Sequence, residues 1–494
     1  MRDRLSDHRI QVDLSVDPRA VDARPDVDAP FCIALFGDFS ARAHRGSIDA
    51  GGTIATRESL LVDRDNLDDV LAGLRPELRV PVGDERDFAV RIEFQTLDDF
   101  HPDRLYERLP VFEGVRELRR RLAAPATREQ PPRESSTAEQ PPAAVGGNLL
   151  DQIVQQSPSP YAGAAEERSP LEGGDLQTYL NRIVSAHLVP DADPRRQTLL
   201  AELDAACAAG LRALLHHPDF QALEALWRGV QLITRAVESD ADVRLHLFDV
   251  TKSELAADQR ESADAANSRL CRLLAAGAPQ SGWGVLCGLY SFGPLAFDRD
   301  LVRHLGSVAR VVKAPWISAG DPLLVGCTAI DSSPDPADWV AEPPPEWHEV
   351  RRSPDARWIG LAMPGFLLRS PYGQRYNASD ALPFEELSEA PTHAEYLWGN
   401  PALACLLLLV QGVAESGRPI YPGMNLELGG LPLLSSQPCT EALLGERAAE
   451  RILDGGLMPL VSIRDTDRVR LRRFQSVADP LAALGGGAAG SPEQ

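Results

Sequence analysis

The chain has 494 residues, enough for two to four domains with substantial cores. Apolar residues make up 44% and charged residues 25%, which excludes wholesale disorder. With 72 acidic against 50 basic residues, the net charge of −22 repels phosphate backbones and anionic lipid, so nucleic acid and bare membrane are excluded as main partners.

The first expected element is a half-buried strand, Arg9-Ile-Gln-Val-Asp-Leu-Ser-Val16, in which Ile10, Val12, Leu14 and Val16 alternate with polar residues. Phe31–Phe36 is a continuous apolar run and reads as a fully buried strand ending at Gly37-Asp-Phe-Ser40. A helix follows with Leu67, Val70, Leu71 and Leu74 on one face, stopping before Pro76. Val90–Phe94 alternates as a strand. Pro102 opens a second helix with Leu105 and Leu109 on one face, and Val115, Leu118 and Leu122 mark a third, charged one. Residues 1–123 are thus expected to form a small α/β unit.

Composition breaks at residues 124–175. Pro125 to Pro170 holds eight prolines with Tyr161 as its sole aromatic, too little apolar surface to offset the entropy of ordering, and reads as a flexible Pro/Ser/Glu-rich tether. One island at 148–155 interrupts it. Leu149, Leu150, Ile153 and Val154 fall at helical spacing behind Asn148. Too short to be stable alone, this helix either docks a partner or packs on its own neighbouring domain.

The remainder, 176–478, alternates helices and strands. Helices are expected at Leu176–Leu188, Thr198–Leu215, and from Pro218 with Phe220, Leu223, Trp227 and Val230 as the buried stripe. Strands are expected at Val243–Phe248, Gly284–Tyr290 and Ala356–Leu361, with helices at 299–313 and 395–415. Residues 479–494, rich in Gly and Ala, read as a disordered tail forming neither strand nor core. The fold class is α/β (mixed α+β).

Chemical motifs are sparse. Seven cysteines are scattered, odd in number and never spaced C-x-x-C, against a disulfide framework or zinc site. No phosphate-binding G-x-x-x-x-G-K-[ST], no G-x-S-x-G and no H-E-x-x-H occurs. His216-His217 sits at a helix start, where a surface position is expected, and Asp38 at a strand end reads as a turn residue. Catalytic, cofactor and metal sites are therefore all expected to be absent. The N-terminus has no apolar h-region, and Ala402–Val410, the most apolar run, is about half of the roughly 20 residues that span a bilayer. A cytoplasmic chain without membrane insertion is expected. Only Lys252 and Lys313 are lysines; the other 48 basic residues are arginine. That suits carboxylate-pairing protein surfaces, and a GC-rich coding bias gives the same count.

Several stretches, in order, resemble the small (TssB, VipA) and large (TssC, VipB) subunits of the type VI secretion contractile sheath. In the first unit they are Pro30–Arg42, Val62–Val70 and Leu97–Arg104. In the second they are His216–Gly229, Asp249–Leu255, Asp355–Leu361, Leu367–Gly373, Tyr396–Asn400 and Gly456–Val461. The resemblance implies two interpacked sheath-type domains in one chain, acting by assembly and conformational repacking rather than chemistry. It implies as partners other sheath subunits, an inner tube protein and a baseplate. It also implies a recycling AAA+ ATPase that docks near Leu149, Leu150, Ile153 and Val154, and places Arg9, Ile10, Val12, Leu14 and Val16 in a strand shared between subunits. The family's large subunit continues past the motif resembling Arg472–Ser476, so this chain is expected to lack that C-terminal region and to join a lattice only with a chain that supplies it. An adaptor or cap on a sheath made by other chains is the alternative, and an α/β enzyme the remote one.

Overall fold

The computed structural model describes residues 30–46, 54–81, 89–123, 193–237, 243–417, 424–435 and 437–485. The strand expected at Arg9–Val16, the helix at 148–155, the tether around it and the helix at 176–188 lie outside them.

The first half begins with β1 (Phe31–Gly37), buried at every position as a strand covered on both faces must be. It continues with β2 (Leu60–Val62), α1 (Leu67–Leu74), the hairpin strands β3 (Glu77–Pro81) and β4 (Ala89–Glu93), α2 (Pro102–Arg108) and α3 (Glu113–Ala123). Pro102 stands at the first turn of α2, where its missing N–H is no loss, and the His101 ring accepts the Asp103 amide.

The second half opens with α4 (Asp193–Leu215) and α5 (Pro218–Ala236), then β5 (Val243–Asp249), α6 (Lys252–Glu261) and α7 (Arg269–Ala276). It proceeds through β6 (Val285–Phe292), α8 (Ala296–Val312), β7 (Trp316–Gly320), α9 (Pro345–Arg352), β8 (Ile359–Met363), β9 (Phe366–Leu367), β10 (Trp398–Gly399) and α10 (Pro401–Ser416). It closes with β11 (Met424–Leu428), α11 (Glu446–Asp454), β12 (Met458–Ser462) and β13 (Val469–Arg473).

Nine strands form one sheet in the order β11-β13-β12-β8-β7-β6-β1-β5-β2. The run from β8 to β5 is parallel, and β1 sits inside it, pairing Phe31 with Val243 on β5 and Ile33 with Val285 on β6. The first half thus supplies an interior strand to a sheet otherwise built by the second. Helices cover both faces. Ile33 and Leu35 point into one core with α4, α5 and α10; Ala34 and Phe36 point into the other with α6, α7 and α8. The alternation is that of a strand's period of two. Phe36 stacks between Phe248 (4.8 Å between centroids) and Trp316 (5.2 Å). Helix α10 is buried from Pro401 to Val410, which explains why that run is apolar all round rather than on one stripe.

Three expectations need correction. The strand expected over Ala356–Leu361 begins only at Ile359, because Pro354 opens a 3-10 turn through Trp358. The helix expected at 395–415 starts at Pro401, where Asn400 accepts the Ala402 amide; before it lie a 3-10 turn and β10. Residues 479–485, expected in a tail without core contacts, instead pack: Leu484 is buried beside Gly360, and the Asp479 amide donates to Arg351 O.

Candidate functional site

The predicted inter-subunit strand (Arg9, Ile10, Val12, Leu14, Val16) and docking helix (Leu149, Leu150, Ile153, Val154) fall outside the described residues. Within them, the polar side chains that converge do so mainly where the two halves meet.

The tightest convergence surrounds Glu254. Thr251 and Glu254 form a capping box that opens α6, the Thr251 hydroxyl taking the Glu254 amide and the Glu254 carboxylate taking the Thr251 amide. From the first half, Arg57 donates to Glu254 Oε1 at 2.5 Å and Oε2 at 2.8 Å, and Arg42 to Oε1 at 2.8 Å. Arg42 also reaches Asp249 Oδ2 at 3.1 Å, and the Ser40 hydroxyl donates to the same oxygen at 2.7 Å. Burial pushes the Glu254 carboxyl up, but the Arg57 hydrogen bonds, the Thr251 amide and the two arginine charges overcome it and hold the group at about 2.

A second network lies against α5. Arg369 is sandwiched between Glu224 (2.8 Å) and Glu386 (2.7 Å), and Arg228 donates to Glu224 at 2.6 Å and to the Tyr372 hydroxyl at 2.7 Å. Burial raises the Glu224 carboxyl, and the charges of Arg369 and Arg228 more than reverse it. The first half touches this network through His101, edge-on to Tyr372 at 4.8 Å. Nearby, the Asp103 carboxylate accepts the amides of Asp380 (3.0 Å) and Ala381 (3.2 Å) and the Ser379 hydroxyl. Hydrogen bonds of Trp227 Nε1 to Phe39 O (3.0 Å) and of Arg119 to Ala381 O (2.6 Å) add to the seam.

A crevice of about 570 Å³ opens at the carboxyl ends of the parallel strands, where β5 and β6 flank β1, the place such sheets use for ligands. Its lining offers little chemistry. Asp38 accepts the amides of Arg42 and Ala43 and is a turn residue, its carboxyl raised by burial. Lys252 is held by Asp298 at 2.5 Å. His393 engages Glu441 at 3.1 Å, which raises its pKa, and its ring stacks on Trp398.

The remaining predicted sites resolve simply. His217 caps α5, and His216 is half-buried beside Glu386 rather than at the surface, since α4 and the ion network close over it. Among the described residues no group of three or more His, Cys, Asp or Glu is placed to hold a metal, and no helix is long and apolar enough to cross a membrane. All seven cysteines are buried and unpaired.

Sequence reasoning did not single out Arg42, Glu254, Glu224 or Arg369 individually, although each lies in a stretch that carried the family resemblance. The Thr251-x-x-Glu254 spacing was a legible helix-start signal. Arg57 and Glu386 stand outside those stretches and offered none.

Comparison with known proteins places two families along the chain. Residues 2–130 match the type VI secretion system VipA family, and residues 197–418 match the VipB tail sheath N-terminal domain, a structural family rather than an enzymatic one. The type VI secretion system sheath protein TssC1 of Pseudomonas aeruginosa PAO1 is 27% identical over 314 residues, which is 59% of this chain and 63% of that relative. The chain thus spans less than two thirds of the length of the curated relative it matches. Its described seam joins β1 of the VipA-matching segment to β5 and β6 of the VipB-matching one. The chain thus carries, in one polypeptide, a segment matching the VipA family and a segment matching the N-terminal domain of the VipB tail sheath family, both of the type VI secretion system.

Proposed function

We propose that this chain is a fused protomer of a type VI secretion contractile sheath, working by assembly with other sheath subunits and by repacking of their interfaces. The observation that carries the reading is the position of β1, an interior strand of a sheet shared by both halves. Two subunits folded into one sheet move as one body, and joining them covalently fixes their ratio at one to one and raises their effective concentration. Stored free energy in such an assembly resides between protomers and is released when those contacts change.

The finer partners follow the same reading. Arg9, Ile10, Val12, Leu14 and Val16 pair with a strand of a neighbouring subunit. Leu149, Leu150, Ile153 and Val154 present an apolar helix face to a recycling AAA+ ATPase. The inner tube and baseplate are further partners, and the cytoplasm is the place of assembly. Electron microscopy of the purified chain, alone and mixed with separate sheath subunits from the same source, tests the reading. Long hollow tubes containing the chain are expected. Uniform small particles in both samples would overturn it.

A further inference from the structure

The tripeptide His-Pro-Asp occurs twice, at 101–103 in the first half and at 217–219 in the second. Both copies fold alike. Each histidine is extended, with φ and ψ of −72° and 138° at His101 and −66° and 130° at His217, and each proline opens a helix. Each Nδ1 accepts the amide of its own aspartate, at 3.2 Å on α2 and 3.3 Å on α5. Helix caps are ordinarily Ser, Thr, Asp or Asn, whose oxygens accept throughout the range near neutral pH. An imidazole nitrogen accepts only without its proton, so both caps require a neutral ring with its hydrogen on Nε2.

The two aspartates reach across the seam in opposite directions. Asp103, from the first half, holds 379–381 of the second through the Asp380 and Ala381 amides and the Ser379 hydroxyl. Asp219, from the second half, pairs with Nδ1 of His44 in the first at 2.8 Å. Each carboxylate also stands close to Nδ1 of its own histidine, at 3.6 Å for Asp103 and 3.7 Å for Asp219. A proton on Nδ1 turns that nitrogen from acceptor to donor. The amide then loses its cap, and the imidazolium competes for the carboxylate that the other half is using.

Other charges surround both rings. His101 faces Asp103 on α2, Asp98 on the turn before it, Arg228 on α5 and Arg369, and its ring meets Tyr372. Burial, only partly opposed by Asp103, holds His101 below the ordinary histidine range. His217 faces Asp219 and, beyond it, His44. Its neighbour His216, lowered by burial as well, lies 3.9 Å from Glu386.

We propose that the two His-Pro-Asp caps form an acid-sensitive catch between the halves. With both rings neutral, each aspartate holds the opposite half; protonation draws it back to its own helix. The catch belongs to a single copy of the chain and does not depend on assembly. His101 binds its proton less readily in the fold than in the opened chain. Its side of the catch is therefore at full strength above pH 6.5 and weakens as pH falls below that value. The His217 cap makes the same demand on its ring.

Hydrogen–deuterium exchange of the full chain at pH 7.5 and 5.5, corrected for the intrinsic rate, tests the proposal. In the parent, peptides containing 379–381 and 41–45 should exchange about fivefold faster at the lower pH, the worth of one N-cap each, while β7 stays protected. His101→Asn keeps a capping oxygen that does not titrate in this range, and should abolish the acceleration at 379–381 alone. His217→Asn should abolish it at 41–45 alone. Nitrogen NMR of the parent labelled at histidine reads the rings without any variant, and at pH 7.5 both should carry their hydrogen on Nε2. Equal protection of both segments at the two pH values, or a hydrogen on Nδ1 of either ring at pH 7.5, overturns the catch. Variants that accelerate like the parent overturn it too, since carboxylates rather than these histidines would then govern the seam.

Discussion

The Arg57 guanidinium grips the Glu254 carboxylate through hydrogen bonds of 2.5 and 2.8 Å across 197 positions of sequence. Arg42 approaches the same carboxylate, so one buried acid anchors two arginines of the other half. A buried ion pair adds little to stability over an apolar substitute, but stripping one partner from it is costly because the other charge stays behind in a poor solvent.

Glu254→Ala should therefore destabilise the fold by about 3–5 kcal/mol, the cost of leaving two half-buried arginines without their counter-charge. Urea unfolding of the variant and the parent checks this. A loss below about 1 kcal/mol, the range of an exposed pair, would show that water reaches the site.

Acid should expose the same residue. Its folded-state pKa of about 2 lies below the ordinary value of 4.5, so the stabilisation is complete above pH 4.5 and disappears as pH falls toward 2. The whole amount is about 3 kcal/mol. Measured from pH 6 downward, the stability gap between the parent and Glu254→Gln should stay constant to about pH 4.5 and narrow below it. A gap unchanged down to the acid limit would contradict the assignment.

Cutting the chain should not separate it. With β1 bracketed by β5 and β6 and Asp103 bonded to 379–381, a protease site inserted within 124–192 and cleaved after folding should leave both pieces co-eluting in gel filtration. Elution as two independent species would mean that the shared sheet is not the dominant contact.

The thiols should be silent in the native state. Burial raises Cys405 to about 12 and Cys207 and Cys439 to about 11, far from the thiolate that reacts. A thiol-specific chromogenic reagent should label none of the seven cysteines at pH 8 in the folded chain and all seven in denaturant. Rapid native labelling of even one would indicate local opening of a core.

What the sequence revealed of this fold depended on how local the governing interaction is. The apolar run Phe31–Phe36 identified a buried strand unaided, and the Pro218 helix with its stripe of Phe220, Leu223, Trp227 and Val230 was legible to the residue. The neighbours of β1 were not, since no periodicity encodes pairing with strands two hundred positions away. β13 alternates Val469 and Leu471 with arginines, and its charge masked a strand whose arginines pair with Glu427 and Glu446 on adjacent elements. At the seam, the resemblance pointed to the stretches that hold Arg42 and Glu254 but not to Arg57, and which side chains met there depended on tertiary geometry alone.

The interior place of β1 has a consequence for how the protein is made. The ribosome releases Phe31 long before Val243, its partner on β5, which lies 212 positions later. At about 5–20 residues per second, that apolar strand waits roughly ten to forty seconds for neighbours. During that interval its backbone has no neighbour of its own sheet to pair with and its side chains no core, a state that invites chaperones or premature strand pairing. Two separately translated subunits would meet this hazard by diffusion; a single chain meets it by delay.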